Sequence, residues 1–280
     1  MGILNVTPDS FSDGGSYPTS EDAVAAGLKM LAEGADVLDI GGESTRPGSR
    51  TVSAAEQLNR VLPVIRLLRG ETDALLSVDT RDPTVGEAAI DAGADIINEV
   101  SACKDPGWAP VLRRTEAPVV LMHMRGTPED MQHQTLYPDG VMAEIRSHLA
   151  ERMSDLESEG ISKERFILDP GVGFAKETHH NLQILRTLAE LTALGRPVLV
   201  GASRKLFLGK LLEKGGESRG RNPRDRDIGT VAANVVALIN GASILRVHNV
   251  PYTRDLVDVI EGMALHGEPL PDTEQREILS

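Results

Sequence analysis

The chain has 280 residues, 40% of them hydrophobic, with 42 acidic against 29 basic side chains and a net charge of −13. That length supports a sizeable core, while the acidic excess argues against nonspecific nucleic-acid binding and requires any anionic substrate to meet basic residues focused at one place. Cys103 is the only cysteine, which excludes an internal disulfide, and no apolar run is long enough for a signal peptide core or a membrane span, so a cytoplasmic location is expected.

In chain order, a short apolar run, Met1 to Leu4, ends at Asn5 and opens into a polar loop with two glycines at 14 and 15. Phe11 sits in that loop without apolar neighbours. The loop is either a ligand lid or surface chain whose Phe folds back. A helix is expected from Ser20 as cap, with Glu21 and Asp22 in the first turn, Val24, Leu28 and Leu31 on one face, and Gly34 at its end. Strand 37–40, loop 41–48, a helix over about 55–68 and strand 75–78 ending at Asp79 follow. Pro83 starts another helix that Gly93 closes, and 95–97 leads to Asn98. A weakly marked helix covers about 106–114, and strand 118–122 ends at His123. Beyond a long loop, a helix runs to about 159, residues 166–168 reach Asp169, and a helix over 178–194 leads to strand 198–200. Ser203 and Asp227 open two helices, 243–247 is a strand, and a helix begins near Pro251.

Gly34-Ala35-Asp36, Gly93-Ala94-Asp95 and Gly241-Ala242-Ser243 repeat one helix-to-strand corner. Eight apolar strands alternating with helices, with no linker, predict an α/β fold of one domain over 1–280, a (β/α)8 barrel. An open doubly wound sheet is the rival. Barrel active sites lie at the C-terminal strand ends. Those ends carry Asn5, the 43–46 loop, Asp79, Asn98, His123, Asp169, Ser203-Arg204-Lys205, Arg246 and His248. Asp79, Asn98 and Asp169 suit a flat heterocycle with an amidine-like edge, because a carboxylate can accept two donors from it. Arg46, Lys205, Arg246 and His248 suit an anion such as phosphate. Ordinary salt bridges are the alternative for Arg204 and Lys205. Gly171-Val172-Gly173 lacks the third glycine of a dinucleotide fingerprint, and Gly201-Ala202-Ser203-Arg204-Lys205 is not a P-loop. No His pair has a zinc spacing, and no nucleophile elbow appears. His179 and His180, neighbours on a helix, are expected at the surface, pointing different ways.

Asn5 to Gly15 (NVTPDSFSDGG) and Gly41 to Gly48 (GGESTRPG) resemble the two signature loops of the dihydropteroate synthase family. SVDT at 77–80, Ile97-Asn98, MHM at 122–124, DPGVGF at 169–174, SRK at 203–205 and RVH at 246–248 resemble its other motifs, in order, over nearly the whole chain. The resemblance implies a barrel enzyme of folate biosynthesis, usually a homodimer. Its reaction joins 6-hydroxymethyl-7,8-dihydropterin diphosphate to p-aminobenzoate with Mg2+, giving 7,8-dihydropteroate and diphosphate. It implies Asn5 at the metal, with Arg246 and His248 on the diphosphate helped by the two loops, which include Arg46. It implies Asp79, Asn98, Asp169 and Lys205 around the pterin, with Met124 also lining the substrates. Phe11, Thr45, Pro47, Phe174 and Lys205 would surround p-aminobenzoate, where sulfonamides compete. Asn5, Asp79, Asp169 and Lys205 are the expected catalytic set, and the C–O bond is expected to break before the amine attacks. The first loop is expected to order only over ligand.

This sequence departs from the family pattern at Asn249 and Glu99, where Asp is common, and at Leu206, where some members have Ser. The p-aminobenzoate carboxylate would then rely on backbone N–H groups at the helix start. Members often carry residues ahead of the first strand. A pterin-binding methyltransferase domain and a non-catalytic pterin-binding paralogue are the alternatives. The first would not need the NVTPDSFSDGG loop or the diphosphate cations, and the second should have lost Asn5, Lys205 or Arg246.

Overall fold

The computed structural model describes residues 1–7, 19–43, 51–127, 130–213 and 222–266. Among them, eight strands run in parallel: β1 (Gly2–Asn5), β2 (Val37–Gly41), β3 (Leu75–Asp79), β4 (Ile96–Glu99), β5 (Val119–Met122), β6 (Phe166–Asp169), β7 (Leu199–Val200) and β8 (Ile244–Leu245). The intervening helices are α1 (Ser20–Ala32), α2 (Ala54–Glu71), α3 (Pro83–Asp91), α4 (Trp108–Thr115), α5 (Val141–Ser158), α6 (Thr178–Arg186), α7 (Ala189–Thr192), α8 (Leu206–Leu212) and α9 (Asp227–Ile239). α10 (Val250–His266) follows the last strand.

β1 to β6 form one sheet in sequence order, and β7 pairs with β8. Single bridges, Leu168 to Val198 and Gly2 to Val247, join the two pieces into a ring. At the second seam the Ile3 N–H donates to the Val247 carbonyl and the Val247 N–H to the Met1 carbonyl, both at 2.9 Å. The sheet is therefore the closed barrel, and the open doubly wound alternative falls.

Local signals place most helix ends. Thr19, one residue before the expected cap, accepts from the Asp22 N–H and starts α1. Asp82 accepts from Thr84 and Val85 ahead of Pro83 in α3. At the three Gly-Ala corners, the N–H groups of Ala35, Ala94 and Ala242 return to Met30, Ala89 and Ala237 carbonyls at 3.0, 2.9 and 2.9 Å. That is the long-range bond of a Schellman end, and it aims each following strand back at the barrel. The helix expected over 178–194 is broken after Arg186. There the Thr187 hydroxyl donates to the Gln183 carbonyl at 3.0 Å, a local bond that competes with continued helix.

Outward-facing Leu4, Leu38, Ile40, Leu76, Val78, Ile97, Leu121 and Leu168 pack with the helices in the main core. Inside the ring, Met1, Val37, Ile96, Val120, Ile167 and Leu199, with Ile244, form a second apolar layer that plugs the barrel floor. Successive side chains on a strand alternate faces, so the next inward positions lie two residues on. They are Ile3, Asp39, Asn98, Met122, Asp169, Gly201 and Arg246. One pleat above the apolar plug, four of these positions, Asp39, Asn98, Asp169 and Arg246, are polar or charged.

Candidate active site

The centre of that polar layer is a buried carboxylate. Asp39 on β2 is fully buried and accepts from the Ser77 hydroxyl at 2.6 Å, the Asn98 amide at 3.0 Å and Arg246 Nε at 2.6 Å. Arg246 then donates through Nη2 to Asp79 Oδ2 at 2.7 Å. One guanidinium thus spans two carboxylates from β2 and β3, a charge-assisted pairing that Arg geometry favours. Asp79 Oδ1 is buried with no hydrogen-bond partner. Such an orphan costs free energy unless a ligand donor meets it. Burial pushes the Asp79 carboxyl up to about 7, against the pull of Arg246 and with the push of Asp39.

Register sets the row above. Asn5 pairs with Gly41, Gly41 with Asp79, and Asp79 with Asn98. A Cβ on Gly41 would lie 3.5 Å from Asn5 Oδ1 and 3.7 Å from Asp79 Oδ2, so the amide and the carboxylate edge the same gap. Across the barrel, Asp169 accepts from the Gly171 N–H at 2.7 Å, and burial raises its carboxyl to about 6. Lys205 Nζ lies 3.9 Å from the centre of the Phe174 ring, a cation–π contact. Phe174 shares an apolar cluster with Met124, Val100, Met122, Met131 and Ala175. The Ser203 hydroxyl lies 3.0 Å from His248 Nδ1 and accepts from the His248 N–H at 3.1 Å.

Two glycines of the 169–174 motif are there because the backbone must come close. A Cβ on Gly171 (φ +67°) would fall 2.0 Å from the His123 carbonyl oxygen. One on Gly173 (φ +82°) would fall 2.9 Å from Lys205 Cδ. Both positions lie in the left-handed region that glycine occupies without penalty.

Of the residues expected from sequence, Asn5, Asp79, Asn98, Met124, Asp169, Phe174, Lys205, Arg246 and His248 therefore lie at one end of the barrel. Phe11, Thr45, Arg46 and Pro47, and the expectation that the first loop orders over ligand, lie outside the described residues. Arg204 belongs to the surround. Its guanidinium pairs with Asp227 at 2.6 and 2.9 Å, so the salt-bridge reading holds for it. Asn249 has its own place, donating to Asp227 Oδ2 at 3.0 Å and accepting from the Tyr252 N–H at 3.2 Å in the first turn of α10. Glu99, longer than Asp, reaches forward to the Ser101 N–H at 3.0 Å, the Ser101 hydroxyl and the Cys103 N–H. Leu206 is exposed and opens α8. His179 and His180 do not diverge. Their ring centres are 3.8 Å apart, because His180 Nδ1 turns back to accept from the Glu177 N–H in a capping box.

Sequence reasoning gave no site role to Asp39, or to Ser77 within its SVDT motif. The signal was present: a carboxylate between Leu38 and Ile40 in a wholly buried strand must face the interior of a barrel. Glu43, placed at the strand ends with the 43–46 loop but given no role, takes the Val52 N–H at 2.9 Å and Arg81 at 3.0 Å on its carboxylate.

Among the described residues no cluster of three His, Cys, Asp or Glu side chains forms a metal cage. Mg2+ does not need one. It prefers oxygen, retains waters and is commonly held by one or two protein groups together with substrate phosphates. The amide oxygen of Asn5 beside the gap at Gly41 is a donor of that kind.

Buried carboxylates that can take up a flat N–H-rich ring, a half-buried cation on an aromatic wall and further cations at the same mouth define a barrel enzyme for a heterocyclic, anionic substrate. Comparisons with known proteins narrow that class. A family model described as "Pterin binding enzyme" matches residues 1–248. Dihydropteroate synthase of Escherichia coli (strain K12) is 43% identical over 261 residues, spanning 93% of this chain and 90% of that one. The Yersinia pestis dihydropteroate synthase, solved in complex with a sulfonamide drug, superposes with a TM-score of 0.89 at 43% identity, covering 95% of this chain and 94% of that one. The Xanthomonas albilineans enzyme in complex with 7,8-dihydropteroate gives 0.81 at 42% identity, covering 96% and 93%. The chain belongs to the dihydropteroate synthase family of pterin-binding enzymes.

Proposed function

We propose that this chain condenses 6-hydroxymethyl-7,8-dihydropterin diphosphate with p-aminobenzoate by separating charge first, in the polar layer of the barrel. The unpartnered Asp79 Oδ1 carries the reading. It is a buried acceptor waiting for a donor, and the N–H edge of a pterin supplies one. Asn98 and Asp169 complete the ring's partners, and Lys205 borders it on the Phe174 side. As the methylene C–O bond breaks, its electron pair leaves with diphosphate, and positive charge spreads into the pterin. Asp79 and Asp169, already in place and dehydrated, stabilise that charge without reorganising. His248 and the Nη1 side of Arg246, which takes no part in the pairs to Asp39 and Asp79, face the leaving anion, with Arg46 assigned there by the family motif. Mg2+ held by Asn5 would supply further charge neutralisation at the diphosphate. The p-aminobenzoate nitrogen, seated against Phe174, then forms the C–N bond and loses a proton. An aromatic amine facing a cation needs no strong base.

We further assign the chain a homodimeric state and a cytoplasmic setting. Exposed Ile228, Val236 and Ile239 on α9 and Val259 and Met263 on α10 support a covered face, and buried, unpaired Cys103 suits a reducing compartment. No helix of the described residues is long and apolar enough to cross a membrane.

Diphosphate release tests the reading. It should require both p-aminobenzoate and Mg2+, and Asp79→Asn should reduce kcat/KM by about a hundredfold or more. The same preparation should sediment at twice the chain mass. Absence of release, or methyl transfer from a methylated folate instead, would overturn the assignment.

A further inference from the structure

Lys176 takes no part in the chemistry above, yet its side chain is buried, with 4% of the residue exposed. Its Nζ donates to the Phe174 carbonyl at 2.9 Å and the His123 carbonyl at 3.2 Å, and lies 3.0 Å from His123 Nδ1. An ammonium has three protons and no acceptor, so His123 Nδ1 must accept. The imidazole proton is then on Nε2, which faces Glu144 Oε1 at 3.4 Å. Burial and the neighbouring Lys176 hold His123 far below the usual histidine range, in keeping with a neutral ring.

These contacts extend the pairing of β5 and β6 into the loops that follow the two strands. His123 follows β5 directly and precedes Met124, while Phe174 lies in the loop after β6. Met124 and Phe174 sit in one apolar cluster. The chain between Phe174 and Lys176 is also unusual, since Ala175 has φ +53°. A left-handed alanine persists only where its surroundings fix it. Here the Tyr137 hydroxyl donates to the Ala175 carbonyl at 2.9 Å, and Lys176 grips the residue before it. Burying an ammonium among neutral acceptors is costly for stability, so what Lys176 contributes is geometry.

We propose that Lys176 is a positioning residue: by donating to the His123 and Phe174 carbonyls together, it fixes the Met124–Phe174 wall against which p-aminobenzoate docks. This rests on the function proposed above. Burial lowers the Lys176 ammonium to about 7, against the upward pull of Asp169 and Glu144 and with the push of Lys205 and Arg125. Neutral His123, His148 of α5 beside its ring, His180 of α6 and Tyr137 are further titratable groups around it. As pH rises through that value the amine keeps two protons for three acceptors, and the wall loosens.

The test is steady-state kinetics of the full chain as wild type, Lys176→Met and Lys176→Gln. Lys176→Met removes every donor and should raise the p-aminobenzoate KM about tenfold, with the KM for the pterin diphosphate changed far less. Lys176→Gln keeps two N–H donors and should recover most of that loss. In wild type the p-aminobenzoate KM should climb several-fold between about pH 6 and 9, and in Lys176→Met it should be flat. A wild-type KM in Lys176→Met, or no recovery in Lys176→Gln, overturns the proposal. Should Lys176→Met fail to fold, the wild-type series decides alone: a p-aminobenzoate KM constant across that range overturns it. Wild-type protein that releases no diphosphate would sink the proposed function itself, a result distinct from active enzyme indifferent to Lys176.

Discussion

Asp79 is paired on one oxygen and bare on the other, and this asymmetry makes it the most informative residue in the chain. Its folded carboxyl is raised to about 7 by burial, above the usual carboxylate range. A donor arriving at Oδ1 favours the ionised form and lowers that value in the complex. The sign follows by linkage: ligand binding expels a proton below about pH 7, affinity rises with pH up to that point, and it levels off above. Calorimetry of a 6-hydroxymethylpterin in two buffers of different ionisation enthalpy should show proton release at pH 6 in wild type and a much smaller one in Asp79→Asn. Proton uptake, or pH-independent affinity, would remove Asp79 from the pterin site. Asp39 makes the companion case. Because it already takes Ser77, Asn98 and Arg246, it is the fixed post that aims Asn98 and Arg246.

At the scale of elements, the strands were legible because parallel barrel strands are apolar on both faces, and their polar termini stood out from them. Asp79, Asn98 and Asp169 could be found that way. Asp39 could not, since it lies inside β2 and reads as an interruption of an apolar run until the inward alternation is known. Lys176 was equally silent: it follows a recognisable motif by two residues, and only the fold brings it beneath His123. The helix over 178–194 was misjudged because the Thr187 side-chain bond is invisible in apolar periodicity. The loop after β6 is the element with the least slack. Gly171→Ala would place a Cβ 2.0 Å from the His123 carbonyl oxygen at a φ of +67°. We expect it to cost at least about 2 kcal/mol in denaturant unfolding, with activity falling as Asp169 and Phe174 shift. Unchanged stability would show that this loop does not press on β5 as described.

At the scale of the molecule, an acidic protein sets cations among the buried carboxylates of one barrel mouth. The net charge is −13, yet Lys205 and Arg246 both act on Asp79 and on Asp169. The barrel makes this possible by stacking a charged layer on the apolar plug of Val37, Ile96, Val120 and Ile167, where water is excluded and fixed charges act strongly. Such a device suits a reaction in which charge separates before the new bond forms. Deuterium on the pterin methylene tests that directly. If the C–O bond opens first, the carbon flattens in the transition state, and diphosphate release from the deuterated substrate will be slower, a normal secondary isotope effect. An isotope effect of unity would mean that p-aminobenzoate attacks while the C–O bond is intact, and would contradict the role given to the buried carboxylates.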